Sequence, residues 1–242
     1  MSGTRIRGLL FDKDGTLFDF ALSWSGVIDS TLAMLTDDAD LQQRMALSTG
    51  YDKAAGRFEP GSPAVAGAMD DVARTWAGFV PQYKPADILA IADRIATTAV
   101  ADGALVPAVA DLSGYLGDLR SQGFVLGIAT HDSEEAARVQ LTGFSALEHF
   151  DFVAGYDSGH GLKPGPGMLL AFARATGLRP GEIAMIGDSV HDLGVAPAAG
   201  AALAIGVLTG PADHTDLAPY ADHVLPSIAD LPALLQSLSP AG

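Results

Sequence analysis

Two aspartates one residue apart, in the segment Asp12–Thr16 (Asp-Lys-Asp-Gly-Thr), directly follow an apolar run at residues 8–11. The run has the character of a buried strand, and side chains two positions apart on an extended chain share one face. We therefore expect Asp12 and Asp14 in one crevice at the carboxyl end of that strand, where open α/β sheets bind ligands. Two such carboxylates repel unless a cation lies between them or one stays protonated, which predicts either a hard metal ion or an acid/base division of labour. A solvent-exposed Asp-x-Asp-Gly turn is the alternative for this segment alone.

Three later segments place polar groups at the ends of further predicted strands. Thr130 ends an apolar run and offers a hydroxyl to phosphate oxygens, although a threonine there is also a common helix cap. Lys163 lies in a turn rich in Gly and Pro ahead of a predicted helix, where a lysine is otherwise an ordinary surface charge. Gly187 permits close approach of a ligand to the backbone, and Asp188 and Asp192 add two acids that could instead cap and begin a helix.

Together these groups are the ones that phosphoryl transfer requires. Mg²⁺ prefers oxygen ligands and usually takes one or two carboxylates together with water and substrate phosphate. Asp12 and Asp188 meet that need, with the Asp14 carbonyl as a third ligand, and Lys163 would neutralise the nucleophile and the phosphoryl oxygens. The residues therefore predict a magnesium site for phosphoryl transfer.

The elements that must position these residues fall into two regions. Residues 19–104 show four helical patterns and no convincing strand. Pro63 opens one of them, and apolar residues recur along it at helical spacing as far as Phe79, which is typical of a helix packed in a bundle. From Pro107, predicted to start a helix, short apolar runs alternate with helical patterns, and this alternation is typical of a parallel sheet with helices on both faces.

The predicted fold class is therefore α/β. Residues 1–18 and 105–242 are expected to form a Rossmann-like parallel-sheet core, and residues 19–104 a small helical-bundle cap domain inserted into it. The predicted core strands after the first are at residues 125–129, 150–154, 183–186 and 202–207, with one more around Val224.

Composition narrows the class of protein. The formal net charge of −15 over 242 residues argues against nucleic acid and anionic membranes as partners. No segment approaches the ~20 apolar residues of a membrane span, and the N-terminus lacks the features of a secretion signal. Cysteine is absent, which excludes disulfides and thiolate metal sites and favours a reducing compartment. We predict a cytoplasmic enzyme, monomeric or homodimeric, that acts on a small-molecule phosphate ester.

The motif set resembles that of the haloacid-dehalogenase superfamily of aspartyl-nucleophile phosphatases, in the branch with a helical C1-type cap after the first motif. The matching segments occur in the family's order and are Asp12–Thr16, Thr130, Lys163-Pro164, and Gly187-Asp188 with Asp192. The resemblance extends over almost the whole chain. Within the family the chain looks most similar to phosphoglycolate-phosphatase-like and β-phosphoglucomutase-like proteins.

The resemblance implies a two-step mechanism. Asp12 attacks phosphorus and forms an aspartyl-phosphate, which splits one difficult step into two. Asp14 protonates the leaving alcohol and then takes a proton from the water that hydrolyses the intermediate. Thr130 and Lys163 hold the phosphoryl oxygens, while the helical cap closes over the site and excludes bulk water.

The same resemblance implies roles for residues around this centre. Asp188 would bind Mg²⁺, and Asp192 would orient Lys163 or a metal-bound water. His131 would contact a leaving group or only pack at the start of a helix. Lys53 and Arg57 lie in the cap segment where related proteins carry a substrate-specificity loop, so they are candidates for binding an anionic substrate tail, the alternative being solvated surface charges.

Three other activities share this scaffold. A β-phosphoglucomutase-like phosphosugar mutase would use the same aspartyl-phosphate and return the phosphoryl group to a sugar. Carbon–halogen hydrolysis does not call for the acid Asp14, and carbon–phosphorus cleavage through a Schiff base on Lys53 resembles this pattern with a small apolar residue at that position. A non-catalytic binding module with the same fold is the alternative outside the enzymes, and the intact motif set argues against it.

Overall fold

A computed structural model of the chain describes residues 6–66, 69–99 and 105–238. Contacts between Cα atoms divide the described residues into two compact units. One unit combines the described parts of Met1–Asp19 and Pro107–Gly242, and the other is Phe20–Val106. In the part of the chain that the structure describes, no helix is both long and apolar enough to cross a membrane.

The described secondary structure comprises short strands and helices. In chain order the strands are β1 Gly8–Phe11, β2 Tyr51–Asp52, β3 Arg57–Phe58, β4 Val125–Ala129, β5 Phe152–Ala154, β6 Ile183–Gly187, β7 Leu203–Val207 and β8 His223–Leu225. The helices are α1 Phe20–Leu35, α2 Ala39–Ser48, α3 Pro63–Ala66, α4 Met69–Ala77, α5 Pro85–Ala99, α6 Leu112–Ser121, α7 Glu134–Gly143, α8 Gly167–Thr176, α9 Val190–Ala199, α10 His214–Leu217 and α11 Leu231–Leu238.

A six-stranded sheet forms the centre of the first unit, in the order β5-β4-β1-β6-β7-β8, with every neighbouring pair parallel. Strand β1 lies between β4 and β6, where Leu10 faces Gly127 on one side and Met185 on the other. Its four residues are all buried, as expected for a continuous apolar strand inside a parallel sheet. The predicted α/β class with a Rossmann-like parallel sheet is confirmed, and the carboxyl ends of β1, β4 and β6 consequently lie side by side.

Helices α8 and α9 pack against this sheet through one apolar cluster. Phe172 of α8 and Leu193 of α9 are fully buried there together with Leu10 and Met185 of the strands. Gly127 has no side chain to separate β4 from α8, and a Cβ at this position would lie 2.8 Å from the ring of Phe172. This close packing holds the strands, and therefore their carboxyl ends, in one rigid sheet.

Apolar helical faces also form the core of the second unit, Phe20–Val106. The stripe predicted for the segment after Pro63 places Val72 and Trp76 in this core, where the indole N–H of Trp76 donates to the Met45 carbonyl at 2.9 Å. Phe79, the last member of the stripe, lies beyond the end of α4 and is 37% exposed.

Two local predictions were wrong, and a third depends on residues that are not described. Residues 19–104 contain a two-stranded antiparallel hairpin, β2–β3, whose strands of two residues are too short to carry a recognisable alternation. The helix predicted to open at Pro63 is described on both sides of residues 67–68, as α3 and α4, and its continuity there stays a prediction because those two residues lie outside the described ones. The helix expected from Pro107 begins at Leu112, because Asp111 caps it by accepting a hydrogen bond from the Gly114 N–H.

Candidate active site

The turn after β1 places Asp12 at the carboxyl edge of the sheet. The Asp12 N–H donates to the Ile186 carbonyl of β6 at 2.8 Å, so this residue is still held by the sheet. Gly15 then takes a positive φ of 85°, which favours glycine, and its N–H donates to the Phe18 carbonyl at 2.7 Å. The local sequence therefore reverses the chain immediately after the first acid.

Lys163 joins three segments that are far apart in the sequence. Its Nζ lies 2.5 Å from Oδ1 of Asp12 and 2.6 Å from Oδ1 of Asp192, and it donates to the Ala129 carbonyl at 2.9 Å. The lysine and both aspartates are buried. The structure thus brings together the predicted site residues that follow β1, β5 and β6.

Asp192 is held in place at the start of α9. Its Oδ2 accepts hydrogen bonds from the N–H and the hydroxyl of Ser189, at 3.1 and 2.5 Å, and the Ser189 hydroxyl in turn accepts the Asp192 N–H. This reciprocal capping box leaves Oδ1 of Asp192 directed at Lys163. Because its oxygens are already occupied, Asp192 is better placed to orient Lys163 than to ligate a metal.

Burial and mutual repulsion dominate the electrostatics of this cluster. Burial raises the pKa of Asp12 to about 7, although the charge of Lys163 works in the opposite direction. The pKa of Asp188 is also raised well above its usual value, first by burial and then by the charges of Asp12 and Asp192. For Lys163 burial lowers the pKa, but Asp12 and Asp192 outweigh it and the net shift is upward, so the ammonium stays charged.

The acids of the cluster fit a divalent cation. One carboxylate oxygen from each of Asp12, Asp188 and Asp192 lies within 4.8 Å of the others. These three carboxylates outnumber the ammonium of Lys163, so the ionised cluster carries an excess of negative charge in a buried place. Hard oxygen donors and uncompensated negative charge are what Mg²⁺ requires of a protein site, and Asp12 and Asp188 are its best candidate ligands here.

Two glycines enclose the Asp188 carboxylate. A Cβ added at Gly15 or at Gly210, in the loop after β7, would overlap the carboxylate of Asp188. The hydroxyl of Thr209 in the same loop donates to the Gly15 carbonyl at 2.6 Å. Sequence patterns gave no reason to single out Thr209 or Gly210, because their role depends on a loop that returns to the first motif from 194 residues away.

Asp14 lies next to the cluster but has a different partner. Its two carboxylate oxygens lie 2.7 and 2.6 Å from Nζ of Lys13, which is also 3.0 Å from Oδ2 of Asp132. Lys13 is fully buried, and the pKa of its ammonium is raised because Asp132 and Asp14 together outweigh the opposing effect of burial. Neither Lys13 nor Asp132 was among the predicted site residues, and a lysine between two motif acids was the one available signal.

Thr130 and His131 connect the second motif to the third. Thr130 is buried at the end of β4, and its hydroxyl accepts the Asp132 N–H at 3.1 Å. A ring nitrogen of His131, Nε2, accepts the backbone N–H of Lys163 at 3.1 Å. This bond requires an unprotonated Nε2 and helps to fix the segment that carries the buried lysine. Contact of either side chain with a substrate stays a prediction.

Lys53 and Arg57 belong to the helical unit, on the β2–β3 hairpin. Lys53 forms an ion pair with Asp29 at 3.0 Å, and Arg57 is exposed. Asp52 shapes the hairpin tip by accepting the N–H groups of Ala54 and Ala55. The ion pair gives Lys53 a structural role inside its own unit, and the binding of a substrate anion by Lys53 or Arg57 stays a prediction.

Comparison with known proteins identifies the family of this chain. Residues 6–200 match the family model of the haloacid dehalogenase-like hydrolases. The phosphoglycolate phosphatase of Shigella dysenteriae serotype 1 is 32% identical over 212 residues, which cover 81% of this chain and 79% of that protein.

Two solved structures show the same fold at lower sequence identity. A hydrolase from Pseudomonas syringae superposes with a TM-score of 0.69 at 18% identity, covering 96% of this chain and 98% of its own. A β-phosphoglucomutase from Clostridium difficile superposes with a TM-score of 0.60 at 17% identity, covering 96% of each chain. At these identities the two likenesses concern the fold alone.

Proposed function

Because this chain belongs to the haloacid dehalogenase-like hydrolase family and is a phosphatase, we propose that it hydrolyses a small phosphorylated metabolite with Mg²⁺ and an aspartyl-phosphate intermediate. The observation that carries the proposal is the buried contact of Lys163 with Asp12 and Asp192, beside Asp188. In such a contact the ammonium of Lys163 offsets the negative charge of the Asp12 nucleophile. The same ammonium can stabilise the charge of the phosphoryl oxygens. The substrate class we propose is that of phosphoglycolate, which the relative from Shigella dysenteriae supports, or of a sugar phosphate.

In the first step Asp12 donates an electron pair from a carboxylate oxygen to phosphorus, and the bond between phosphorus and the leaving oxygen breaks. Asp14 gives its proton to that oxygen, so the product leaves as a neutral alcohol. In the second step a water molecule attacks the phosphorus of the aspartyl-phosphate, while Asp14 takes its proton. The bond between phosphorus and the Asp12 oxygen breaks and its electron pair returns to the carboxylate, so inorganic phosphate leaves and both aspartates return to their starting states.

The other buried residues hold charge and position in this scheme. Lys163 keeps its ammonium beside the attacking oxygen of Asp12 and is itself aimed by Asp192. Thr130 has a hydroxyl proton available for a phosphoryl oxygen, since its own oxygen is the acceptor in the bond from the Asp132 N–H. Asp12, Asp188 and the Asp14 carbonyl would hold Mg²⁺. When bound, the ion supplies positive charge against the phosphoryl oxygens.

The proposal is tested by replacing the nucleophile. Asp12→Asn keeps the size of the side chain but removes its nucleophilic oxygen, and we expect hydrolysis of p-nitrophenyl phosphate to fall about 10⁴-fold or more. Asp118→Asn, the same change at an exposed position of α6, is the matched control and should leave the rate unchanged. Rates are measured with and without Mg²⁺. Equal rates for wild type and Asp12→Asn would show that Asp12 is not the nucleophile.

A second measurement identifies the substrate and separates phosphatase from mutase. A panel of phosphorylated metabolites, including phosphoglycolate and hexose phosphates, is assayed for release of inorganic phosphate. We expect release from at least one member at a rate well above that for p-nitrophenyl phosphate. Isomerisation of a sugar phosphate without phosphate release would instead assign mutase activity.

We further propose that the enzyme works in the cytoplasm as a monomer or homodimer. A chain without cysteine is compatible with the reducing conditions found there. Light scattering on the purified protein measures the mass in solution, which is a multiple of 24.8 kDa.

A further inference from the structure

A buried ammonium lies beside the proposed catalytic pair and has no part in the scheme above. Lys13, between Asp12 and Asp14 in the sequence, is fully buried. Its Nζ lies 5.8 Å from the centre of the Phe18 ring and within ion-pair distance of Asp14 and Asp132. Burying a lysine costs several kcal/mol unless partners compensate, so the fold must provide these contacts to keep it there.

The contact between Lys13 and Asp14 fixes the orientation of a carboxylate. Nζ lies 2.7 Å from Oδ1 and 2.6 Å from Oδ2 of Asp14, so the ammonium faces both oxygens. The Asp14 side chain remains 14% exposed, whereas that of Lys13 is inaccessible. The carboxylate is therefore fixed through both of its oxygens, and part of the Asp14 side chain stays accessible.

Asp132 holds the lysine from the neighbouring strand end. Its carboxylate lies 3.0 Å from Nζ of Lys13 and is 26% exposed. The backbone of Asp132 is fixed in turn, because its N–H donates to the Thr130 hydroxyl and its carbonyl accepts the Tyr156 N–H at 2.9 Å. The orientation of Asp14 thus depends on the ends of β4 and β5 as well as on its own turn.

We propose that Lys13 is a positioning residue, braced by Asp132, that holds the Asp14 carboxylate in place for proton transfer to the leaving oxygen. The proposal rests on the proposed function, in which Asp14 is the proton donor. Lys13 does not contact the substrate. Its effect is confined to the steps in which Asp14 gives or takes a proton, and this restriction makes it measurable.

The test uses ring-substituted phenyl phosphates that differ in the pKa of the phenol but little in size. A good leaving group such as p-nitrophenol needs little proton donation, whereas phenol needs much more. The comparison uses kcat/KM, because this constant includes transfer of the phosphoryl group to Asp12 but not the later hydrolysis, in which Asp14 takes a proton whatever the leaving group. For Lys13→Met we expect kcat/KM to change less than about threefold with p-nitrophenyl phosphate and to fall about 10²-fold with phenyl phosphate, as for a misplaced catalytic group. Lys13→Arg keeps a positive charge that can form two hydrogen bonds to a carboxylate. This variant should therefore recover most of the activity that Lys13→Met loses with phenyl phosphate.

A double-mutant cycle shows whether Lys13 acts through Asp14. In an Asp14→Asn background, adding Lys13→Met should change neither kcat/KM nor its dependence on the leaving group by more than about threefold, because coupled residues are not additive. If Lys13→Met does not fold, as judged by its thermal transition, the same leaving-group comparison is made with Asp132→Asn. Loss of the contact between Asp132 and Lys13 should then lower kcat/KM for phenyl phosphate at least about tenfold more than for p-nitrophenyl phosphate.

Two results would overturn the proposal. An equal loss for all leaving groups in Lys13→Met, or in Asp132→Asn where that variant decides, would assign Lys13 a structural role only. Full activity of Lys13→Met with phenyl phosphate would show that Asp14 needs no support. Neither result touches the nucleophile, whose failure is seen separately as unchanged activity in Asp12→Asn.

Discussion

The two units of this chain bury different kinds of residue. In the α/β unit, five buried side chains at the carboxyl edge of the sheet are ones that carry charge. They are Asp12, Lys13, Lys163, Asp188 and Asp192. Among the described residues of the helical unit, the buried polar side chains are all uncharged: Ser23, Thr31, Thr49 and Ser62. Its core is otherwise apolar and centred on Trp76.

This difference indicates that buried charges, which lower the stability of the folded state, are confined to the unit that carries the candidate active site. Buried charges cost desolvation energy that their pairing only partly returns, so they persist where function requires them. An apolar core contributes stability without a chemical constraint. Substitutions in the charged cluster should therefore lower activity, and also stability where a buried charge loses its partner, whereas substitutions in the helical core should lower stability alone. Four predictions follow the contrast from the largest expected effect to the smallest.

Lys163→Met should have the largest effect and act on both properties. It removes the cation that contacts Asp12 and Asp192 and leaves two buried carboxylates facing each other. We expect kcat/KM for p-nitrophenyl phosphate to fall about 10³-fold and the free energy of unfolding in urea to fall by about 3–5 kcal/mol. Lys84→Met, at an exposed lysine of the helical unit, is the matched control. Retention of activity in Lys163→Met would contradict the role of this cluster.

Trp76→Ala should separate stability from activity. The indole is fully buried in the helical core, and its removal creates a large cavity and takes away one of two donors to the Met45 carbonyl, the other being the Ser48 hydroxyl at 2.6 Å. We expect a loss of about 3–5 kcal/mol in the free energy of unfolding, with kcat for p-nitrophenyl phosphate unchanged at temperatures where the variant is folded. Trp76→Phe keeps most of the volume and should lose less. A lower kcat without a loss of stability would contradict the claim that the helical core contributes to stability and not to activity.

Gly210→Ala should weaken metal binding with a smaller effect. A methyl group at this position overlaps the carboxylate of Asp188 and must displace it. We expect the Mg²⁺ concentration for half-maximal activity to rise about tenfold, in the range found when supports of metal ligands are altered, with little change in KM for the substrate. Gly181→Ala, where a Cβ meets no atom within 4 Å, is the control. An unchanged Mg²⁺ requirement would show that Asp188 does not hold the ion.

Glu182→Gln should have the smallest effect and act on stability alone. Hydrogen bonds from the Arg179 side chain and backbone lower the pKa of Glu182 from 4.5 to about 2. Because the folded-state pKa lies below the ordinary value, the ionised group stabilises the fold above pH 4.5, and this contribution disappears as the pH falls through about 2. The difference between wild type and Glu182→Gln in urea unfolding should therefore be largest at neutral pH and shrink in acid. A difference independent of pH would exclude an electrostatic origin.

Much of the fold could be predicted because local chemistry and the global structure agree. The continuous apolar runs around Leu10, Ile128 and Ile186 form strands buried in a parallel sheet, and the acids and the threonine that follow them lie at its carboxyl edge. The hairpin at Tyr51 and the late helix start at Leu112 could not be predicted in the same way. The hairpin has too few residues for a period, and the helix start depends on one cap, Asp111.

The residues of the site also fall into those that the sequence could indicate and those that it could not. Spacing and residue type were sufficient to single out Asp12, Asp14, Lys163 and Asp188, since carboxylates and a lysine at successive strand ends have few other reasons to occur. They could not indicate Thr209 and Gly210, whose contacts with Gly15 and Asp188 arise from a loop near the opposite end of the chain.

The sequence by itself therefore determined the kind of chemistry and the sheet edge at which it occurs, because both depend on residue types next to short apolar strands. Only the tertiary structure decided the partner of each charge. Lys163 lies between Asp12 and Asp192, and Lys13 between Asp14 and Asp132. Which cation meets which carboxylate depends on distances across neighbouring strands, and Coulomb attraction in a buried place is strong only at those short distances.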